Sequence, residues 1–412
     1  MIQFDRFELE NGLQVIYHED LTNPMVVVNV LYNVGSRDEE EHRTGFAHLF
    51  EHLMFGGSVN VPSYDEPLQK VGGENNAFTS PDITNYYITL PSENIETAFW
   101  LESDRMLSLS FDPKVLEVQR SVVIEEFKQR YLNQPYGDAW LKLRPLAYET
   151  HPYKWATIGK EIEHIENATM DDVKAFFKRF YHPSNAVLVV AGNSSLNEVK
   201  RLTEKWFGNI PAGEINNRSL PMEKPQNQFK SIEVHAPVPA DSLYMAFHMP
   251  ARTDEEYYAV DLLSDILGRG KSSILYQALV EENQLFGALS AYVTGSSDPG
   301  LFVINGKLSE GVSLEEGEKA VWELIEKFKQ AELPEVALEK VKNKAESTMV
   351  FGEVELLNRA MNLAYAWTLG DPEMVNHEGE KIQAVMAKDI KAQANKILRK
   401  ENASVLRYFS KK

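Results

Sequence analysis

Asp172-Val173-Lys174-Ala175, followed by Asn185-Ala186, returns as Asp389-Ile390-Lys391-Ala392, followed by Asn402-Ala403, with one constant offset between every residue and its counterpart. No other feature constrains the fold as much. A single repeat spanning half the chain means two related domains, not a solenoid, whose periods run at about 20–50 residues. The beginnings of the halves echo as well. Ser36-Arg37-Asp38-Glu39-Glu40 follows a strand-like run ending in Leu31-Tyr32-Asn33-Val34, and Ala251-Arg252-Thr253-Asp254-Glu255-Glu256 follows Leu243-Tyr244-Met245-Ala246-Phe247. After each comes an amphipathic helix and then a glycine-containing turn, Phe55-Gly56-Gly57-Ser58 in one and Gly268-Arg269-Gly270-Lys271-Ser272 in the other. Between the halves, Ile210 to Gln228 is rich in Pro, Asn and Gln and carries no apolar period, as a linker does. The expected division is 1–212, a linker over 213–228, and 229–412. Each half runs strand, helix, strands, helices, strand, so the class is α+β: two duplicated domains, each a largely antiparallel sheet packed with helices.

One half differs from the other in chemistry. His48-Leu49-Phe50-Glu51-His52 puts two histidines four residues apart, one turn above each other on the same side of a helix, where both can reach one metal ion. His48, Glu51 and His52 fall within an arc of roughly 100°. Phe46, Leu49, Phe50, Leu53 and Met54 fill the opposite arc and face a core. Glu51 thus stands beside the histidines, placed to take a proton from water at the metal. The corresponding helix of the second half carries Asp261-Leu262-Leu263-Ser264-Asp265 and no histidine. The first half is the metal-binding domain, and the second is its homologous metal-free copy.

Cysteine is absent from the 412 residues, so there is no disulfide, thiolate site or thiol nucleophile. A histidine and carboxylate ligand set suits one Zn2+ with an open coordination position, which takes three protein ligands. The third ligand is expected on a helix over Val115 to Tyr131, introduced by Asp112-Pro113. Val115, Leu116, Val122, Val123 and Phe127 define its inward face. Glu126 falls inside that arc, with Gln119 two turns before it as a supporting residue, whereas Glu125 points about 100° away. A carboxylate on a buried face is costly unless paired or metal-bound, which favours Glu126 over Glu125.

Asn76-Ala77-Phe78-Thr79-Ser80 and Thr84 to Leu90 read as two strands joined at Pro81-Asp82. The pair is either an ordinary core hairpin or a strand edge to which an extended peptide adds through main-chain hydrogen bonds, with Asn76, Ala77, Phe78 and Thr79 as the binding residues.

Apolar residues make up 43% and charged residues 25% of the chain, the balance of a globular protein with real cores. The net charge of −19 belongs either to a solvated acidic surface or to an acidic cavity that draws in basic peptides. It disfavours nucleic acid, which needs a basic patch. No stretch reaches the roughly 18 apolar residues of a membrane span. Met1 to Asp5 lacks a basic region followed by an apolar one. The expected location is the cytoplasm, or the periplasm if a leader has been removed.

The H-x-x-E-H order is that of the inverzincins, and the chain resembles the family of pitrilysin, insulin-degrading enzyme and the mitochondrial processing peptidase over nearly all its length. The family's later glutamate has its counterpart in Val122-Val123-Ile124-Glu125-Glu126, where Glu126 follows His52 at the spacing the family keeps. The Asn-Ala-Phe-Thr-Ser and Thr-Asn-Tyr-Tyr runs are similar to the family's substrate-binding edge strand, and Gly45 and His151-Pro152-Tyr153 fit too. The resemblance implies the processing-peptidase-like metallohydrolase fold. It also implies a zinc metalloendopeptidase with ligands His48, His52 and Glu126 and base Glu51, cutting unfolded peptides inside a chamber of four domains. A two-domain chain needs a second chain to complete that chamber. Many active members carry an Arg and, seven residues on, a Tyr in the second half. Alignment on Leu279 puts Val280 and Gly287 in those slots. Arg269 and Tyr276 share the spacing but sit earlier, beside the glycine-rich turn. A related zinc-free subunit supplying the pair in a heterodimer is therefore expected, with a homodimer as the other arrangement. A presequence-type processing protease and a non-catalytic structural subunit of a larger assembly are the competing readings.

Overall fold

The computed structural model describes residues 1–214 and 218–411. The chain packs as two compact units. The first holds 1–128, 155–220 and 350–377, and the second holds 129–154, 221–349 and 378–412.

The first unit is built on six strands: β1 (Asp5–Glu8), β2 (Gln14–Glu19), β3 (Met25–Tyr32), β4 (Glu74–Thr79), β5 (Thr84–Pro91) and β6 (Ala186–Gly192). Their order across the sheet is β1-β2-β6-β3-β5-β4. Only β2 and β6 run parallel; every other neighbouring pair is antiparallel. The central strands β3 and β6 are apolar runs buried almost throughout, as a strand covered on both faces must be.

The second unit repeats the plan with β7 (Lys230–Ala236), β8 (Ser242–His248), β9 (Phe286–Val293), β10 (Leu301–Leu308) and β11 (Ala403–Ser410). Its order is β7-β11-β8-β10-β9, again with one parallel pair, β7 with β11, in the equivalent place. Apart from the additional β1, the two sheets have the same topology. The fold is thus α+β with two sheets of mostly antiparallel strands, as the duplication implies.

Each sheet is covered on one face by a helix drawn from the opposite half of the sequence. In the first unit, Leu356, Ala360, Leu363 and Ala364 of helix Leu356–Thr368 pack on Ile16, Val27, Val187 and Val189. In the second, Ala139, Leu143 and Ala147 of helix Ala139–Ala147 pack on Tyr244, Ala246, Val303 and Leu406. Ala139 and Leu356 are related by the same offset as Asp172 and Asp389, so the two covering helices are the same element of each half.

The described part of the segment between the halves is tied down. Arg218 donates to the Asn33 carbonyl at 2.8 Å and to Asp38 Oδ2 at 2.9 Å, and Gln226 donates to the Ala403 carbonyl at 2.8 Å. Residues 215–217 of the expected linker, with residue 412, lie outside the described residues. Among the described residues no helix is long and apolar enough to cross a membrane.

Candidate metal centre

The centre belongs to the first unit and starts from one short helix. Helix Phe46–Leu53 buries Phe46, Ala47, Leu49, Phe50 and Leu53, leaving His48, Glu51 and His52 on the opposite side. Phe50 anchors it, stacked on Phe176 at 4.9 Å and on Tyr181 at 5.0 Å between ring centres. The helix begins at Gly45, whose φ of 88° is left-handed. A Cβ there would stand 2.7 Å from both the Ile158 carbonyl oxygen and Ile165 Cδ1, so the position requires glycine.

A helix this short needs its first N–H groups satisfied from outside. Glu39 does this from the preceding loop. Its carboxyl accepts from the Gly45 N–H at 2.9 Å and from the Ala47 N–H at 2.8 Å. Burial pushes this carboxyl well above the usual range, against the pull of the Ala47, Gly45 and Phe46 N–H groups. Glu39 was not among the expected site residues. The only hint in the sequence is the acidic run Asp38-Glu39-Glu40-Glu41 ahead of the helix.

The second helix, Pro113–Phe127, starts where the Asp112-Pro113 pair predicts. The Asp112 side chain accepts from the Lys114 N–H at 2.8 Å, capping the first turn. Gly56, just past the histidine helix, lets the two helices close on each other, because a Cβ there would lie 2.3 Å from Val115 Cγ1. Leu116, Val123 and Phe127 are buried. Val122 is 44% exposed, which corrects its assignment to the inward face. The buried residues, at spacings of seven and four, form one narrow stripe, and Val122 lies one residue, about 100°, off it.

From these two helices, ligand atoms of His48, His52 and Glu126 come within 4.8 Å of one another. Glu126 Oε2 lies 3.6 Å from Nε2 of both histidines, with all three side chains partly buried. Donors bound at about 2.0–2.2 Å around a tetrahedral zinc stand roughly 3.4 Å apart. The separations and the two-nitrogen, one-oxygen donor set therefore fit zinc. Glu125 turns away, exposed, and pairs with Lys128 at 2.9 Å.

Glu51 extends toward the sheet, where its Oε2 accepts from Thr79 Oγ1 at 2.6 Å. Thr79 ends β4, which among the described residues pairs with β5 alone and lies at the edge of the sheet. Along β4, Asn76 and Phe78 are exposed while Ala77 and Thr79 are half-buried. Gln119 is half-buried on the Glu126 helix, and among the described residues it makes no hydrogen bond to the three converging side chains. In the second unit, Val280 packs against the core and Gly287 is exposed on β9. Arg269 is held by Asp265 at 3.3 Å on its own helix end.

Comparison with known proteins finds family matches over most of the chain. Residues 14–142 match the family described as insulinase (peptidase family M16), and residues 167–345 match the peptidase M16 inactive domain. A zinc protease of Helicobacter pylori, PqqE, is 32% identical over 343 residues, covering 81% of this chain and 76% of that one. An uncharacterized zinc protease of Bacillus subtilis, YmxG, is 27% identical over 303 residues, covering 73% of each. The crystal structure of a protease from Helicobacter pylori superposes with a TM-score of 0.93 at 28% identity, over 99% of this chain and 100% of that one. On this likeness in sequence and fold, the chain belongs to peptidase family M16, the insulinase- and pitrilysin-like zinc protease family that its histidine motif resembles.

Proposed function

We propose that this protein is a zinc-dependent endopeptidase that hydrolyses unfolded peptides within a chamber enclosed by a dimer, and that it is the catalytic subunit of a heterodimer. The observation that carries the reading is the convergence of His48, His52 and Glu126 from two helices, with Glu51 beside them and linked to a sheet edge. In this reading residues 1–212 are the catalytic half of the sequence, 213–228 the linker and 229–412 the homologous metal-free half, with 129–154 and 350–377 each packing in the compact unit of the other half.

His48, His52 and Glu126 would hold the zinc, which when bound polarises a scissile carbonyl and lowers the pKa of water towards about 7. Glu51 accepts the water's proton and delivers it to the leaving amine. Asn76, Ala77, Phe78 and Thr79 hold the peptide extended along β4 through main-chain hydrogen bonds, which demand little of its sequence.

The partner follows from Val280 and Gly287. Losing one preorganised donor to a developing oxyanion typically costs about a hundred- to a thousandfold in rate. A homodimer offers only two copies of the same valine and glycine, so the Arg–Tyr pair comes from a related, zinc-free chain. The test is to incubate the zinc-loaded protein with unstructured peptides, alone and with such a chain, and to identify products by mass spectrometry. Weak cleavage alone and strong cleavage together is the expected result. Full-rate cleavage alone removes the heterodimer, and no cleavage under either condition removes the peptidase.

A further inference from the structure

Thr79 faces two ways. Its hydroxyl donates to Glu51 at 2.6 Å, a distance typical of a hydrogen bond strengthened by a carboxylate's charge. Its main chain belongs to the strand at the open edge of the sheet. The hairpin sets the direction of that main chain. The Ser80 N–H donates to the Ile83 carbonyl at 2.8 Å, so this pair is turned inward. Antiparallel pairs alternate between bonded and non-bonded. With Thr79 opposite Thr84 and Phe78 opposite Asn85, Phe78 and Asn76 bond to β5, and the N–H and C=O groups of Thr79 and Ala77 point out of the sheet. The Ala77 N–H is engaged by the neighbouring Asn76 Oδ1 at 2.8 Å, in keeping with that outward direction.

Side chains follow the same alternation. Ala77 and Thr79 sit on the covered side of β4, and Asn76 and Phe78 sit on the open side. A glutamate's last torsion is broad and nearly free, so the helix that carries Glu51 does not by itself orient the carboxylate. A donor at 2.6 Å on one oxygen does.

We propose that Thr79 is a positioning residue: its hydroxyl orients the Glu51 carboxylate while its outward main chain pairs with the peptide, so that one residue sets both the peptide's register and the direction of the base. The proposal rests on the peptidase reading and deepens it. Alternation along β4 makes the two roles separable, because the side chain can be changed without touching the main chain that pairs.

The test compares Thr79→Val, which keeps the shape and removes the hydroxyl, with Thr79→Ser, which keeps the hydroxyl and removes the methyl. In steady-state cleavage of an unstructured peptide, by the complex with the partner chain where one is needed, T79V should lose roughly ten- to a hundredfold in kcat, the scale of a misplaced catalytic group. Its KM and zinc content should stay within about twofold of the starting protein, because neither main-chain pairing nor the ligands depend on the hydroxyl. T79S should keep most of kcat. Crystal structures of both variants supply a readout independent of activity, with the Glu51 carboxylate turned in T79V and in place in T79S. Wild-type kcat in T79V, an equal loss in T79S, or an unmoved Glu51 in T79V each overturns the proposal. Should T79V not fold, Thr79→Ala is measured in the same way. If the unmodified protein cleaves no peptide under any condition, the peptidase reading fails, and the two crystal structures still decide whether Thr79 positions Glu51.

Discussion

Arg105 and Glu102, one turn apart on helix Ile95–Leu107, form an ion pair that water does not reach. Arg105 Nε donates to Glu102 Oε2 at 2.9 Å, and the two side chains are 1% and 0% exposed. The guanidinium lies over the rings of Tyr86 at 4.4 Å, Tyr64 at 4.6 Å and Phe55 at 5.3 Å. Tyr64 also donates to Glu102 at 2.6 Å. Burial works against the guanidinium's charge, and Glu102 and the tyrosines hold its pKa above the ordinary value. Removing one partner strands the other charge, which costs about 3–5 kcal/mol. Arg105→Ala is therefore expected to lower stability by that amount in urea unfolding, and the Arg105→Ala/Glu102→Ala double variant to lose less than the two single losses added together. A single variant within about 1 kcal/mol of wild type would show that the pair is not isolated from water.

Metal content separates the two neighbouring glutamates. Glu126 lies 3.6 Å from both histidines, and Glu125 is paired with Lys128 at the surface. The purified chain should hold about one zinc, and alanine at His48, His52 or Glu126 should empty the site. Glu125→Ala should leave it full. Elemental analysis with the opposite pattern for the two glutamates would reassign the third ligand.

Glu51→Gln keeps the size of the side chain and its acceptor for Thr79, but removes the base. Zinc occupancy should be near normal and peptide cleavage lower by at least about a hundredfold, the low end for lost acid–base catalysis. Substantial residual cleavage in a preparation free of wild-type enzyme rules out Glu51 as the proton acceptor.

Acid should loosen the packing of helix Leu356–Thr368. Asp20 is held down to a pKa of about 2 by its hydrogen bonds from Thr22 and then from Arg359, which reaches it at 2.6 Å. A carboxyl whose pKa is depressed on folding stabilises the folded chain above its unfolded value near 4, and the contribution is lost as pH falls towards 2. Discounted for solvent screening, the effect is about 1–2 kcal/mol. Asp20→Asn should lower the melting temperature at pH 7 and narrow the gap to wild type as the pH approaches 2. A gap that does not change with pH would assign the loss to packing instead of charge.

Some of this protein is legible residue by residue, because the rules involved act within one element. His48, Glu51 and His52 share a helix face through the fixed turn of the helix. Glu126 and Glu125 part company for the same reason, and the pairing of Asp112 with Pro113 starts the second helix where such a pair does. The repeat that relates Asp172 to Asp389 carries the two sheets of matching strand order. Other features depend on elements meeting and have no local signature. Val122 looks as apolar as Val123, and only the width of the helix contact leaves it in water. Arg105 and Glu102 have the spacing of an ordinary surface pair until three aromatic rings close over them. Glu39 reaches the start of the histidine helix because a loop folds back, and Thr79 reaches Glu51 because β4 ends beside that helix. The exchange of helices Ala139–Ala147 and Leu356–Thr368 between the halves is likewise decided by which sheet each buries its apolar face against. Periodicity fixes the direction of a side chain relative to its own backbone, and only the packing of one backbone on another supplies what that side chain meets.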